Sequence, residues 1–152
     1  MNGREAPKSN DLFYLCSLIA HIARKTRNSP AAVAQALGRE RVAKIYDLAD
    51  VYHCEGLDRV ADELIAECGL RAGDFDNVTH CPYAVPTCWD VGKVYKRLIL
   101  RVAQAEGKDV PTALMEVYGS AIVPLIEDYD GSFYYDNPES IFATYENGCV
   151  PD

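Results

Sequence analysis

Histidine and cysteine are the residue types in this sequence with the most obvious capacity for chemistry. The candidate metal ligands are His80, Cys81, Cys88 and Cys54. Zinc takes four thiolate or imidazole ligands in a tetrahedral array, usually supplied as closely spaced pairs, and adjacent residues seldom reach one ion together. A thiol nucleophile would need a histidine within hydrogen-bond reach. We therefore keep a metal- or thiol-dependent enzyme built on these residues as an alternative hypothesis, and we expect no cofactor.

The distribution of charge is more informative than the cysteines. The chain of 152 residues carries 15 basic and 23 acidic side chains, which gives a formal net charge of -8. Between Asp109 and Asp152 there is no lysine or arginine, although this stretch holds nine acids. Nucleic-acid binding depends on basic groups that displace counterions from phosphates. We therefore expect no nucleic-acid partner for this part of the chain, and the charge favours a basic protein partner.

Tyrosines lie among these acids and suggest a surface for protein binding. Tyrosine provides a large contact area at a low cost in side-chain entropy. If 133–135 is extended, alternate side chains point to opposite faces, so Tyr134 is exposed when its two neighbours lie in the core. The predicted partner-binding residues are Glu127, Asp128, Asp130, Tyr134 and Asp136.

A third hypothesis is a DNA-binding regulator. Arg39, Arg41 and Lys44 cluster after Gly38, and the predicted helices on either side of this glycine loosely resemble a helix-turn-helix motif. The acidic net charge of the chain argues against this hypothesis.

Two features predict a cytoplasmic protein with no membrane partner. No apolar run approaches the ~18 residues that a membrane span requires. Residues 1–10 lack the apolar core of a secretory signal, so the six cysteines are expected to be free thiols.

Apolar residues recur at helical spacing along most of the chain. The predicted helices are 11–27, 30–37, 39–51, 57–68, 90–106, 111–118, 120–128 and 138–145. Two features support several of their ends: Ser29 and Asn137 each precede a proline at a helix start, and Gly38, Gly69, Gly107 and Gly119 follow helix ends. The turn at Asp130-Gly131, followed by three aromatic residues, favours a short β element near 131–135.

The order of helices is repeated at a spacing of 80 to 81 positions. Pro30 aligns with Pro111 and Gly38 with Gly119, and the apolar face of the first helix, beginning at Leu15, aligns with the face beginning at Tyr95. The sequence therefore predicts a mainly α fold of two tandem units, of about four helices each, packed as one domain. The predicted boundaries are a tail at 1–10, units at 11–69 and 90–148, and a loop at 70–89, and the oligomeric state stays open.

Short segments in the second predicted unit resemble a small family of uncharacterised bacterial helical proteins. These segments are Val117-Tyr118-Gly119-Ser120, Ile126-Glu127-Asp128, Phe133-Tyr134-Tyr135 and Asn137-Pro138-Glu139. Asn137 stands where the family usually has serine, and Phe133 where it has leucine. The chain resembles two tandem copies of that family, whose genes often lie beside genes for ADP-ribosyltransferase-like toxins. The resemblance implies an antitoxin, immunity or adaptor role, with a toxin-like enzyme as the partner, and it assigns no catalytic residue.

Overall fold

Helices form where the sequence places apolar residues at helical spacing between capping residues. A computed structural model describes residues 7–149 of the chain. In order they form α1 (Pro7–Thr26), α2 (Pro30–Asp47), α3 (Ala49–His53), α4 (Leu57–Cys68), α5 (Cys88–Glu106), α6 (Val110–Tyr118), α7 (Ile122–Ile126), a 3₁₀ helix (Phe133–Tyr135) and α8 (Pro138–Glu146). This list of helices confirms the predicted mainly α fold class. Within residues 7–149, no helix combines the length and the apolar character needed to cross a bilayer.

Local side chains set the starts of these helices. The Ser29 hydroxyl accepts a hydrogen bond from the backbone N–H of Ala32 at 3.2 Å, with Pro30 in the first helical position. At the start of α5, Thr87 and Asp90 form a reciprocal capping box, each side chain accepting from the other's backbone N–H. This box begins the helix two residues earlier than the sequence pattern predicted.

Helices α1 and α5 form the centre of the molecule. α1 packs along α5, and it also contacts α2, α3 and α4, while α5 contacts α6 and α8. α2 also packs against α6, so the helices before and after the long loop share one continuous core. The central pair is in close contact where Gly92 of α5 faces Ser17 of α1.

We refer to residues 11–69 as the first half, to 70–87 as the connecting loop and to residues 90–148 as the second half. In both halves a long helix is followed by shorter helices, one of which returns to pack on it: α4 on α1, and α8 on α5. Gly38 has a non-helical backbone (φ 78°, ψ 160°) and divides α2 into two helical stretches, much as α6 and α7 are separate helices in the second half. Tandem duplication remains a prediction.

The early start of α5 shortens the predicted loop at 70–89 to 70–87, and two further predictions need correction. The β element expected near 131–135 is wrong, because Phe133–Tyr135 is a 3₁₀ helix and the described part of the chain contains no strand. The predicted tail at 1–10 is also too long, because α1 already begins at Pro7, and residues 1–6 lie outside the described range.

The close approach of α1 and α5 leads to a test of the central packing. A Cβ atom added at Gly92 would lie 2.8 Å from the backbone nitrogen of Ser17 and 2.9 Å from its Cα. Because backbone atoms cannot move aside without separating the helices, we expect Gly92→Ala to lower the free energy of unfolding by about 1–3 kcal/mol in a urea titration. The control is Gly131→Ala, whose added Cβ would make only ordinary contacts at 3.6 Å. Equal unfolding midpoints for the two variants would contradict this packing.

Candidate functional site

The second half contains a buried carboxylate that binds groups from three separate parts of the chain. Glu127, at the end of α7, is 5% exposed. Its Oε2 accepts a hydrogen bond from the Tyr95 hydroxyl of α5 at 2.7 Å, and its Oε1 accepts one from the Tyr129 hydroxyl at 2.8 Å. The side-chain amide of Asn77 in the connecting loop donates to the same Oε1 at 3.2 Å and to the Glu127 backbone carbonyl at 2.7 Å. Both carboxylate oxygens therefore have donors, as a buried acid requires.

Arg24 extends this network to the first half. Its guanidinium donates to the Tyr129 hydroxyl at 3.0 Å and to the Pro86 carbonyl at 2.6 Å. The Tyr129 hydroxyl thus accepts from Arg24 and donates to Glu127. We call these residues the Glu127 network: Arg24, Asn77, Tyr95, Glu127 and Tyr129. It joins α1, the connecting loop, α5 and the segment after α7.

Burial controls the electrostatics of this network. Loss of solvent raises the pKa of Glu127 above its ordinary value, and the hydrogen bonds from Tyr95, Tyr129 and Asn77 partly offset that rise. Burial also raises the pKa of Tyr95, and the adjacent Glu127 charge raises it further. The tyrosines are consequently held as neutral donors. The arrangement suits a structural anchor, because both carboxylate oxygens and both tyrosine hydroxyls already have partners within it.

The predicted partner-binding surface contains some residues that are exposed in the structure and others that are buried. Asp128, Asp130 and Asp136 are exposed, as expected. The expected exposure is wrong for Glu127, which forms the centre of the network, and for Tyr134, which is only 8% exposed. The exposed aromatic residue is instead Tyr135, at 79%. We call Asp128, Asp130, Tyr135 and Asp136 the acidic face.

The burial of Tyr134 follows from the local backbone. A 3₁₀ helix turns about 120° per residue, so adjacent side chains do not alternate between two faces as they do in a strand. The Tyr134 ring packs edge-on against Tyr129 of the network, with 5.5 Å between centroids, and its other neighbour is Tyr135 at 4.6 Å. The network therefore positions Tyr134, and Tyr134 supports the exposed ring.

The structure does not gather the histidine and cysteine candidates into a metal site. Among residues 7–149, no group of three or more His, Cys, Asp or Glu side chains could hold a metal ion. The Cys81 thiol donates to the Tyr129 carbonyl at 3.6 Å, and the Cys54 thiol to the Asp50 carbonyl at 3.4 Å. Burial raises the pKa of the Cys88 thiol, which disfavours the thiolate that a nucleophile needs. His80 is an exposed residue of the connecting loop.

The basic residues of the DNA-binding hypothesis are partly engaged within the protein. Arg39 donates to Asp109 at 2.7 Å and to the Thr112 hydroxyl at 3.0 Å, which joins α2 to the start of α6. The guanidinium of Arg41 donates to the Leu37 carbonyl of its own helix at 3.1 Å. These contacts favour a role in packing the two halves together over phosphate binding.

Sequence reasoning missed five residues of this site. Arg24, Asn77, Tyr95 and Tyr129 carry the network, and Tyr135 provides the exposed ring. Tyr95 falls on the apolar stripe of its helix, which predicts burial, and a buried tyrosine hydroxyl needs a partner. That signal predicts that a partner exists, but it does not identify Glu127.

The double role of the Tyr129 hydroxyl makes it a test of the network. Tyr129→Phe leaves both Arg24 and Glu127 without this partner while the ring remains. Because unmet buried polar groups cost about 1–3 kcal/mol, we expect a loss of this size in the free energy of unfolding, measured with urea. Tyr135→Phe removes an exposed hydroxyl and should change stability by less than about 0.5 kcal/mol. Similar losses in the two variants would contradict a network centred on Glu127.

The raised pKa of Glu127 predicts a pH dependence. Above its unfolded pKa, about 4.3, the unfolded chain has released a proton that the folded protein still holds. The contribution of Glu127 to stability is therefore complete below that value, and it is lost as the pH rises through the higher folded pKa. We expect the stability of wild type relative to Glu127→Gln to fall over this window in urea titrations at successive pH values. A difference that stays constant or rises with pH would contradict the assignment.

Comparison with protein-family models, with curated proteins and with solved structures finds no match to this chain. The family resemblance, with the tandem copies that it implies, stays a prediction. The functional argument below therefore depends on the geometry of the acidic face and of the network beneath it.

Proposed function

We propose that this protein is a non-enzymatic protein–protein interaction module whose acidic face binds a basic protein partner. The observation that carries the proposal is the 79% exposure of the Tyr135 ring in a short segment that also exposes Asp128, Asp130 and Asp136. Exposed aromatic side chains are enriched at protein interfaces, where they contribute a large share of the binding energy.

Charge supports a basic partner over other classes. The stretch from Asp109 to Asp152 has no lysine or arginine to neutralise these carboxylates from within. Complementary charge on a partner would accelerate association and select among proteins, and both effects weaken as salt is added.

The Glu127 network supports the proposal by holding the acidic face in one conformation. Glu127 and Tyr129 lie within two residues of Asp128, and Tyr134 is packed between Tyr129 and Tyr135. A surface that is ordered before binding loses less conformational entropy when the complex forms. We therefore expect the Glu127 network to order the acidic face as well as to stabilise the fold.

The resemblance described above adds two elements to the proposal. It implies that the partner is a toxin-like enzyme, with this protein acting as an antitoxin, immunity or adaptor protein. We also expect the complex to form in the cytoplasm.

Charge reversal on the acidic face tests this function. We expect Asp130→Lys with Asp136→Lys to weaken binding to the partner by about tenfold or more, because two attractive contacts become repulsive. The matched control, Glu40→Lys with Asp74→Lys, makes the same change in net charge at exposed residues outside the acidic face. The partner is first isolated with the wild-type protein from the source cells and identified, and its affinity for each purified variant is then measured by calorimetry.

The salt dependence of the affinity and the binding of the control variant show whether the acidic face is the binding surface. The proposal requires an affinity that falls as salt rises from low to physiological concentration and a control variant that binds like wild type. Binding that is unchanged in the acidic-face variant, or weakened equally in both variants, would overturn the proposed surface.

A further inference from the structure

A groove adjoins the acidic face between α5, α8 and the 3₁₀ helix. It has a volume of 330 Å³. Its apolar lining includes Val94 and Leu98 of α5 and Ile141 of α8, and Tyr134 and Tyr135 also line it. For scale, an apolar cavity of about 150 Å³ inside a protein can bind benzene. The groove therefore has room for the ring of one aromatic side chain.

The corresponding place in the first half is filled by a tyrosine. Tyr14 precedes Val94 by 80 positions, the same spacing that relates Leu18 to Leu98. The Tyr14 ring is 3% exposed and stacks on His53, with 5.3 Å between centroids and 21° between planes. His53 in turn precedes Tyr134 by 81 positions. The first half thus closes this junction with its own ring, and the second half has valine there.

Residues at the same offset from two groove residues have the same character in the first half. Leu18 and Leu98 are both buried, and Val60 of α4 stands 81 positions before Ile141 of α8, again with both side chains buried. The second half therefore has buried apolar residues at these positions and the smaller Val94 in place of a tyrosine. An apolar groove left open on a soluble surface is typical of a binding site.

The rim of the groove carries charges of both signs, and its acidic side complements the basic partner proposed above. Asp90 and Asp136 line the groove on the side of the 3₁₀ helix, and Asp136 belongs to the acidic face. Lys93 and Arg97 of α5 line the opposite side, where their N–H groups can donate to main-chain carbonyls. A bound segment would therefore place an aromatic ring between the helices and a basic side chain against the two aspartates.

We infer that this groove is a socket for one aromatic side chain, flanked by lysine or arginine, of the basic protein partner. The identity of the partner rests on the proposed function, whereas the socket itself can be examined without the partner. The ring would take the place in the second half that Tyr14 occupies in the first.

The direct test uses the full chain, labelled with ¹⁵N, and two short peptides. The probe is acetyl-Lys-Tyr-Lys-amide, and the control peptide is acetyl-Lys-Ala-Lys-amide. We expect the tyrosine peptide to shift amide resonances of Val94, Leu98, Tyr135 and Ile141, and to bind about tenfold or more tightly than the alanine peptide because its ring is buried. Equal binding of the two peptides, or shifts confined to other parts of the chain, would overturn the socket.

Variants of the protein separate the socket from general attraction between charges. Val94→Tyr restores the ring of the first half, and we expect it to abolish the preference for the tyrosine peptide. The matched control is Val51→Tyr, which adds the same ring at a position that is 56% exposed in the first half and should bind like wild type. Tyr135→Ala removes a wall of the groove at an exposed position, so it should weaken the tyrosine peptide even if Val94→Tyr does not fold. A preference retained in both groove variants would contradict the inference.

The socket and the proposed function fail in different ways. If partner binding is lost on charge reversal of the acidic face but unaffected by Val94→Tyr, the function stands and the socket is wrong. If the tyrosine peptide binds the groove in wild type and not in Val94→Tyr, while charge reversal leaves partner binding unchanged, the socket stands and the proposed acidic surface is wrong.

Discussion

The burial of one carboxylate determines how the second half of this protein is assembled. An acid at 5% exposure is tolerated only if hydrogen bonds replace the water that it has lost. Glu127 meets that requirement with donors from α5, the connecting loop and its own neighbouring segment, and Arg24 of α1 binds the same cluster through Tyr129. Leaving any one donor unpaired would cost more than the bond itself contributes, so the parts that supply them are fixed together.

That constraint extends from the interior to the surface. The Tyr129 hydroxyl is hydrogen-bonded to both Arg24 and Glu127, and its ring supports Tyr134. The Tyr134 ring in turn contacts the exposed ring of Tyr135. The exposed ring and the aspartates around it thus belong to a short segment whose backbone is anchored from below. Such a segment can present an aromatic contact without the entropy loss that a mobile loop would incur.

The sequence was sufficient for features that depend on local interactions. Helical spacing and caps such as Ser29-Pro30 and Asn137-Pro138 predicted the helices and the fold class, since the residues concerned are near neighbours. Sequence reasoning failed at Glu127, because this acid is buried among donors that lie 32 and 50 positions away in the chain. The strand expected near 131–135 failed for a related reason: three aromatic residues suit a strand or a 3₁₀ turn equally, and packing of Tyr134 on Tyr129 decides between them.

The contrast between Tyr14 and Val94 bears on why the two halves would differ in role. The first half fills its helix junction, and its acids Asp58 and Asp62 are paired with Lys25 of the neighbouring helix. The second half pairs Glu139 of α8 with Arg101 of α5 in the same way, but it has valine at position 94 beside a groove, and its acidic face lies in a stretch without lysine or arginine. Common ancestry is not needed for this comparison, because both junctions are formed by a long helix and the helix that returns to it. An unfilled apolar groove and unneutralised charge each reduce the stability of an isolated chain. Their occurrence in one region, next to the Glu127 network, supports the proposed partner-binding surface.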